Sequence, residues 1–411
     1  MARPLAQLRR QLDIMPSPLP DQPGLLIRDP FLYSEATILV PPLLAQALVY
    51  FQGDHTDLDL QAFLTQATGD LRAGELARHL NQTLDDCGFL ESEPFFEMRD
   101  RKQREFAAAD ERRPAHASSA YPGDREPLQD KMAAWGVDPD LAPDAPDSLI
   151  ALAAPHVSPE GGFRSYAAAY QRLSPRYADR TFVILGTSHY GQPEKFGLTR
   201  KHFQTPLGRL VTDRGLVDWL AQRAADSVVM EDYCHATEHS IEFQCVFLQQ
   251  ALRKPDLKIV PILCGPLLES LLSGKAPENN DSVRRFFDAL GEMAQLHRGR
   301  LLWVLGVDMA HIGRRYGDSH AAVAGQGPLA EVRARDEARL ERICAGDRAG
   351  FFELIRPNHD DLRWCGYSPL YTFLSAVGGT RGELLRYEQW NIDPQSVVSF
   401  AGLAFTAQST E

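Results

Sequence analysis

Four apolar runs constrain what this chain can fold into: SLIALAAPHV, TFVILGTSHYG, LKIVPILCGP and LLWVLGVDMAHIG, all beyond residue 147. Each is nearly continuous in its hydrophobic part, the pattern of a strand covered on both faces. Between them stand GLVDWLAQRAA, EHSIEFQCVFLQQALR and DSVRRFFDALGEMAQLH, long enough and suitably spaced for helices. The alternation predicts an α/β fold with a mixed or mostly parallel central sheet flanked by helices. Near the C-terminus, GELLRYEQWN and SVVSFAGLAFTA alternate more and predict an antiparallel pair at that sheet.

A chain of 411 residues exceeds one comfortable domain. The stretch RDRKQREFAAADERRPAHASSAYPGDREP is charged, then rich in small turn-forming residues. It suggests a small module over 1–97, a linker over 98–117 and a larger domain over 118–411. In the first part LDLQAFLTQATG and RAGELARHLNQTLDDCGFLES read as helices, the second with Leu76, Leu80 and Leu84 at i, i+4 and i+8, followed by a short strand. This unit resembles a winged-helix module, and its ending LDDCGFLES is similar to the close of a PqqD-like peptide-recognition domain. A plain structural appendage is an equal reading, with a peptide or protein partner next. It lacks a basic recognition helix.

Charge and cysteine usage narrow the setting. Forty-three Lys and Arg against 55 Asp and Glu give a net charge of −12, with no long basic block to attract nucleic acid or anionic lipid. The six cysteines form no CxxC and no compact framework, which fits reduced thiols in the cytoplasm. The opening MARPLAQLRRQLDIMPSPLP has no apolar core of signal-peptide length, and no stretch of about 18 apolar residues predicts a membrane span.

In an open α/β sheet, ligands bind beyond the carboxyl ends of the strands, where loops converge on a rigid mount. Three of the four runs end in histidine: His156 in APHVSPEGG, His189 in GTSHYG and His311 in VDMAHIG, which also carries Asp308. One such histidine commonly does no more than satisfy a hydrogen bond. Three at equivalent strand ends, out of twelve in the chain, predict a shared site. Cys365, in RWCGYSPLYTFLSAV, precedes an apolar helical stretch whose N-terminal dipole would favour thiolate. Read alone, it is more readily a buried small hydrophobe. Two imidazoles and a thiolate suit Fe(II), Cu or Zn. Glu238, His239 and Glu242 open a further helix; the two carboxylates share a face and also suit a helix N-terminus, while His239 is a candidate for the pocket.

The segments SSAYPGDREPLQDKM, APHVSPEGGFRSYAAAY, FVILGTSHYG, TEHSIEFQ, VPILCG, GVDMAHIG and WCGYSPLYTFL occur in that order over roughly residues 118–405. The set resembles the Memo family, also called AmmeMemoRadiSam system protein B, whose fold is related to class III extradiol dioxygenases. The resemblance implies metal ligation by His156, His189 and Cys365, with His311 in the place of an acid/base histidine, Asp308 beside it and His239 lining the cavity. Cys365 stands where extradiol dioxygenases place a carboxylate, which makes ring cleavage doubtful. The stretch after His156 and the N-terminal extension also depart from compact members.

Three functions follow. The first is a metal-dependent redox enzyme acting on a small molecule or peptide, with Fe(II) or Cu at the His/His/Cys site and His311 as acid/base oriented by Asp308. The second is a non-catalytic metal- or peptide-binding component of a radical-enzyme-associated modification system, its partner taken by residues 1–97. The third, with Cys365 as a nucleophile, has no supporting motif.

Overall fold

The computed structural model describes residues 2–17, 19, 21–137 and 149–407. The chain divides into two compact units, Met1–Ala108 and Ala109–Glu411. In the first, β1 (Asp13–Pro16), β2 (Leu25–Arg28) and β3 (Thr37–Val40) form an antiparallel meander. Its helix Asp57–Thr68 starts on a capping box, with the Thr56 side chain on the Asp59 N–H and the Asp59 carboxylate on the Thr56 N–H. The helix Ala73–Asp86 buries Ala73, Ala77, Leu80 and Leu84, one face, in a core shared with Ile27, Leu60 and Phe89.

Two features differ from the sequence reading. The meander precedes the helices, and the strand expected after the second helix is reduced to a bridge between Leu8 and Leu90. Residues 98–117 are not a plain linker: the helix Glu93–Ala108 runs through the first half and strand β4 (Glu111–Arg112) follows. A pattern of charge and small residues signals a connection, but solvated helices share that composition.

The second unit is the expected α/β fold. After β4 come β5 (Leu149–Ala154), β6 (Thr181–Thr187), β7 (Phe196–Leu198), β8 (His202–Thr205), β9 (Gly208–Thr212) and β10 (Val228–Met230). Then follow β11 (Lys258–Cys264), β12 (Leu301–Gly306), β13 (His311–Gly313), β14 (Thr380–Asp393) and β15 (Ser396–Ala407). Along the sheet β5, β12, β6 and β11 are adjacent and parallel, and all four are buried. The predicted C-terminal pair is the antiparallel hairpin β14–β15, with β15 completing the sheet against β5 and β13. Among the described residues β14 borders no further strand; it carries Arg381, Glu383, Arg386 and Glu388 and is broken by two irregularities in register.

Register aligns the strand ends. Gly306 of β12 lies opposite Ala154 of β5 and Gly186 of β6, so His156, Asp308 and His189 each leave the sheet within a few residues of the same level. The helix His239–Leu252, buried from Ser240 to Leu252, packs on β6 and β12. Gly186 and Gly306 permit that approach: a Cβ on Gly186 would lie 2.5 Å from Ser240 Oγ, and one on Gly306 would collide with the Ser240 backbone oxygen. Ser240 Oγ donates to Thr187 O (2.8 Å) and Gln244 Nε2 to Pro155 O (2.8 Å), fixing the helix start over the strand ends. No helix among the described residues is long and apolar enough to cross a membrane.

Candidate metal centre

The imidazole rings of His156, His189 and His239 stand 5.0–5.3 Å apart, and each offers a ligand atom within 4.8 Å of the others. His156 is buried, whereas the His189 and His239 side chains keep 28% and 32% of their surface, so the cluster opens on their side. Two of the three rings are held from behind. His156 Nδ1 bonds Gly306 O at 2.9 Å, and His189 Nδ1 bonds the Glu238 carboxylate at 3.0 Å. With the Nδ1 protons engaged there, the Nε2 lone pairs of both are left for a ligand, the arrangement that outer carboxylates and carbonyls impose on metal-binding histidines.

Glu238 does two things at once. As N-cap of the helix His239–Leu252 it accepts from the backbone N–H groups of His239 (2.9 Å) and Ser240 (3.2 Å). It also accepts from the His189 N–H at 3.0 Å and orients that ring. Burial pushes its pKa up, but His189 and His239 and these hydrogen bonds hold it well below the usual carboxylate range. Glu242, on the same face, turns away from the cluster. It takes the buried Arg112 guanidinium and the Tyr121 hydroxyl, and it accepts from the N–H groups of Ala115 and His116 at 3.0 Å.

Cys365 joins the group from the end of the loop before the helix Tyr367–Ala376. Its Sγ lies 3.3 Å from His156 Nε2 and 3.7 Å from Asp308 O. Burial pushes the thiol up, but His156 and His311, with hydrogen bonds from His156 and His189, bring it well below the ordinary thiol range. Burial lowers His156 while Asp308 and Cys365 raise it, leaving it at about 9. Burial lowers His189 too, and Glu238 carries it well above the ordinary value. His239 is held well below that value by burial, with the neighbouring histidines adding to the effect.

Asp308, buried, and His311, half-buried, stand beside the cluster, with one difference from expectation. Asp308 Oδ1 accepts from the His156 N–H at 3.0 Å, and Oδ2 is 3.5 Å from His156 Nε2, so the carboxylate serves His156. His311 is oriented instead by carbonyls: its Nδ1 meets Met309 O at 2.8 Å and Arg363 O at 3.0 Å. A strand-end sequence places both residues near the pocket but does not say which neighbour each will grip. Burial pushes Asp308 up, and burial lowers His311 less than Cys365 and Asp308 raise it.

The sequence reading passed over His116. Its ring lies 5.5 Å from that of His239, and its Nε2 meets Thr237 O at 2.8 Å, so His116 stands against the cluster. The only signal was the motif SSAYPGD close by, with no periodicity to show where it packs. His235 is buried on Gly197 O at 3.0 Å, away from the cluster; His202 is half-buried, and His320 and His359 are exposed.

The donor set fits a metal ion. In a tetrahedral site with Zn–N of about 2.0 Å and Zn–S of about 2.3 Å, nitrogen and sulfur stand about 3.5 Å apart. The observed 3.3 Å between His156 Nε2 and Cys365 Sγ is close to that. Fold and site together define an α/β protein with a histidine cluster at the carboxyl edge of its sheet, His156, His189 and His239, that could hold a metal ion, and with the Cys365 thiol beside it. Residues 112–404 match the family model for Memo-like proteins, and the chain belongs to the Memo family.

Relatives include a MEMO1 family protein of Aquifex aeolicus, 25% identical over 395 residues that span 92% of this chain and 95% of that one. MEMO1 family proteins of Methanopyrus kandleri and Thermococcus kodakarensis are each 28% identical, over 72% of this chain and 99% of their own. A crystal structure of the uncharacterized protein JW3007 of Escherichia coli K12 aligns over 62% of this chain and 99% of that one at a TM-score of 0.38 and 12% identity, too distant to bear on function.

Proposed function

We propose that this protein is a metal-dependent redox enzyme whose ion, Fe(II) or Cu with Zn as the non-redox alternative, is held by His156, His189 and Cys365, with His239 beside them. The observation that carries the reading is the pairing of two backed imidazoles with a thiol 3.3 Å from one of them, in a chain whose thiol is already drawn toward thiolate. When bound, such an ion would supply one-electron or Lewis-acid chemistry, and a thiolate ligand favours softer ions. The chain's own residues do the rest. His311, pinned through Nδ1, can take or give a proton at Nε2. Asp308 fixes the His156 backbone, and His116, His239 and Phe243 shape the open side. A reducing cytoplasm would keep the thiol available.

Elemental analysis of anaerobically purified protein tests this. We expect one redox-active ion per chain, lost in His189→Ala and Cys365→Ala. Unchanged metal content in both variants would overturn the assignment, and loss in His239→Ala but not in Cys365→Ala would move the third ligand to His239.

A second reading, a non-catalytic metal- or peptide-binding component of a modification system, is favoured by the separate core of the first unit. It predicts peptide or protein capture by that unit and no turnover by the second.

A further inference from the structure

We propose that Asp336 is a positioning residue, a buried carboxylate on the helix Leu329–Cys344 that locks the loop carrying Asp308 and His311 to the loop carrying Cys365. The inference rests on the reading of those residues as site groups, but Asp336 itself touches none of them. It is fully buried and takes three donors: Trp364 Nε1 at 2.7 Å on Oδ1, and Tyr387 Oη at 2.8 Å and Ser399 Oγ at 2.6 Å on Oδ2. A carboxylate removed from water is costly unless its lone pairs are satisfied, so three directed donors make this a geometrically fixed junction.

Each donor leads to one side of the site. Trp364 is the residue before Cys365. Ser399 is bracketed by the other loop: its Oγ accepts from the Ala310 N–H at 2.9 Å, its carbonyl from the Met309 N–H at 2.8 Å, and its own N–H donates to Ala310 O at 2.9 Å. Met309 and Ala310 are the two residues between Asp308 and His311. A single side chain therefore holds the backbone next to the thiol and the backbone between the carboxylate and the imidazole.

The loop before Cys365 needs such a hold. Asn358, His359, Asp360 and Arg363 all have φ between 52° and 58°, a left-handed path that non-glycine residues adopt only when surroundings impose it. A second buried contact from the same helix assists: Arg339 reaches Asp360 Oδ1 at 3.1 Å, and Asp360 Oδ2 accepts the Trp364 N–H at 2.5 Å. The loops then meet directly, with the His311 N–H on Leu362 O and the Gly366 N–H on Asp308 O, both at 2.9 Å. The helix residues Asp336 and Arg339 thus back a seam whose far side is the metal pocket.

The test reads Cys365 from the opposite loop. In EDTA-treated protein, iodoacetamide labelling of Cys365 is timed by peptide mass spectrometry in the wild type, Asp336→Asn, Trp364→Phe, Ser399→Ala and the Asp336→Asn/Ser399→Ala double variant, with thermal melts alongside. We expect each single variant to change the labelling rate by more than about threefold, and Ser399→Ala to add less once Asp336 is gone than it does alone, since only its bond to the Ala310 N–H is then left to lose. A merely structural role would lower the melting temperature and leave the rate alone. Rates within about threefold of wild type in both Trp364→Phe and Ser399→Ala would overturn the proposal even if Asp336→Asn failed to fold, as would full additivity in the double variant. The labelling uses metal-free protein, so a wild type that binds no Co(II) would sink the metal reading and leave this test intact.

Discussion

At the scale of single residues, the site is organised by what lies behind the imidazoles. Glu238 receives the His189 ring and backbone, and the first two N–H groups of a central helix. Glu238→Gln should therefore weaken Co(II) or Zn binding by about 10- to 100-fold, the usual cost of losing an outer-shell partner, in competition titrations. Protons compete for the same atoms. Burial lowers His156, but Asp308 and Cys365 raise it to about 9, so below that pH a metal must displace a proton from it. Metal affinity should rise with pH through the neutral range and level off near pH 9; an affinity flat from pH 6.5 to 9 would show that His156 is not a ligand. Such a residue as His156 was legible in the sequence because it ends an apolar run. The role of Glu238 was not, since an acidic residue at a helix start is equally explained by capping, and only the fold puts His189 in front of it.

At the scale of elements, the helix His239–Leu252 connects the strand ends to residues 112–121. The buried pair Arg112 and Glu242 lies at that junction, with Tyr121 and two backbone N–H groups on the same carboxylate. Removing one partner of such a pair strands the other charge, so Glu242→Gln should cost about 3 kcal/mol or more in denaturant unfolding. The acid limb carries the sign. Burial raises Glu242, but Arg112, His116 and the hydrogen bonds lower it overall from 4.5. A depressed carboxylate contributes stability that is present above its unfolded value and lost as pH falls through its folded value. Wild type should thus lose stability below about pH 4.5, and Glu242→Gln should lose less over that interval. Apolar runs announced the parallel strands, because burial on both faces leaves a local mark. The partnership of Arg112 with Glu242, 130 residues apart, leaves none. The β1–β3 meander escaped notice for a related reason: its four-residue strands are too short to display a period.

At the scale of the whole molecule, every candidate site residue comes from the unit Ala109–Glu411. The archaeal relatives are matched over 99% of their own length by 72% of this chain. A fragment of residues 109–411 should accordingly bind Co(II) with the same stoichiometry and absorption spectrum as the full chain. A fragment that folds, by circular dichroism, yet fails to bind would show that the first unit contributes to the centre. The helix Glu93–Ala108 was not legible, because a charged helix and a linker share a composition.

The long hairpin strand β14 lies at the margin of the sheet, and its alternating Arg and Glu residues and two breaks in register matter beyond the native fold. A straight, apolar ribbon of that length would offer its free amides as a template for another molecule's backbone. Here an incoming strand would have to desolvate these charged side chains and would lose its hydrogen-bonding phase at each kink. Charge and kinks thus guard so extended a rim, and neutral, unkinked replacements along it should promote ordered aggregation, read by thioflavin fluorescence against the unaltered chain.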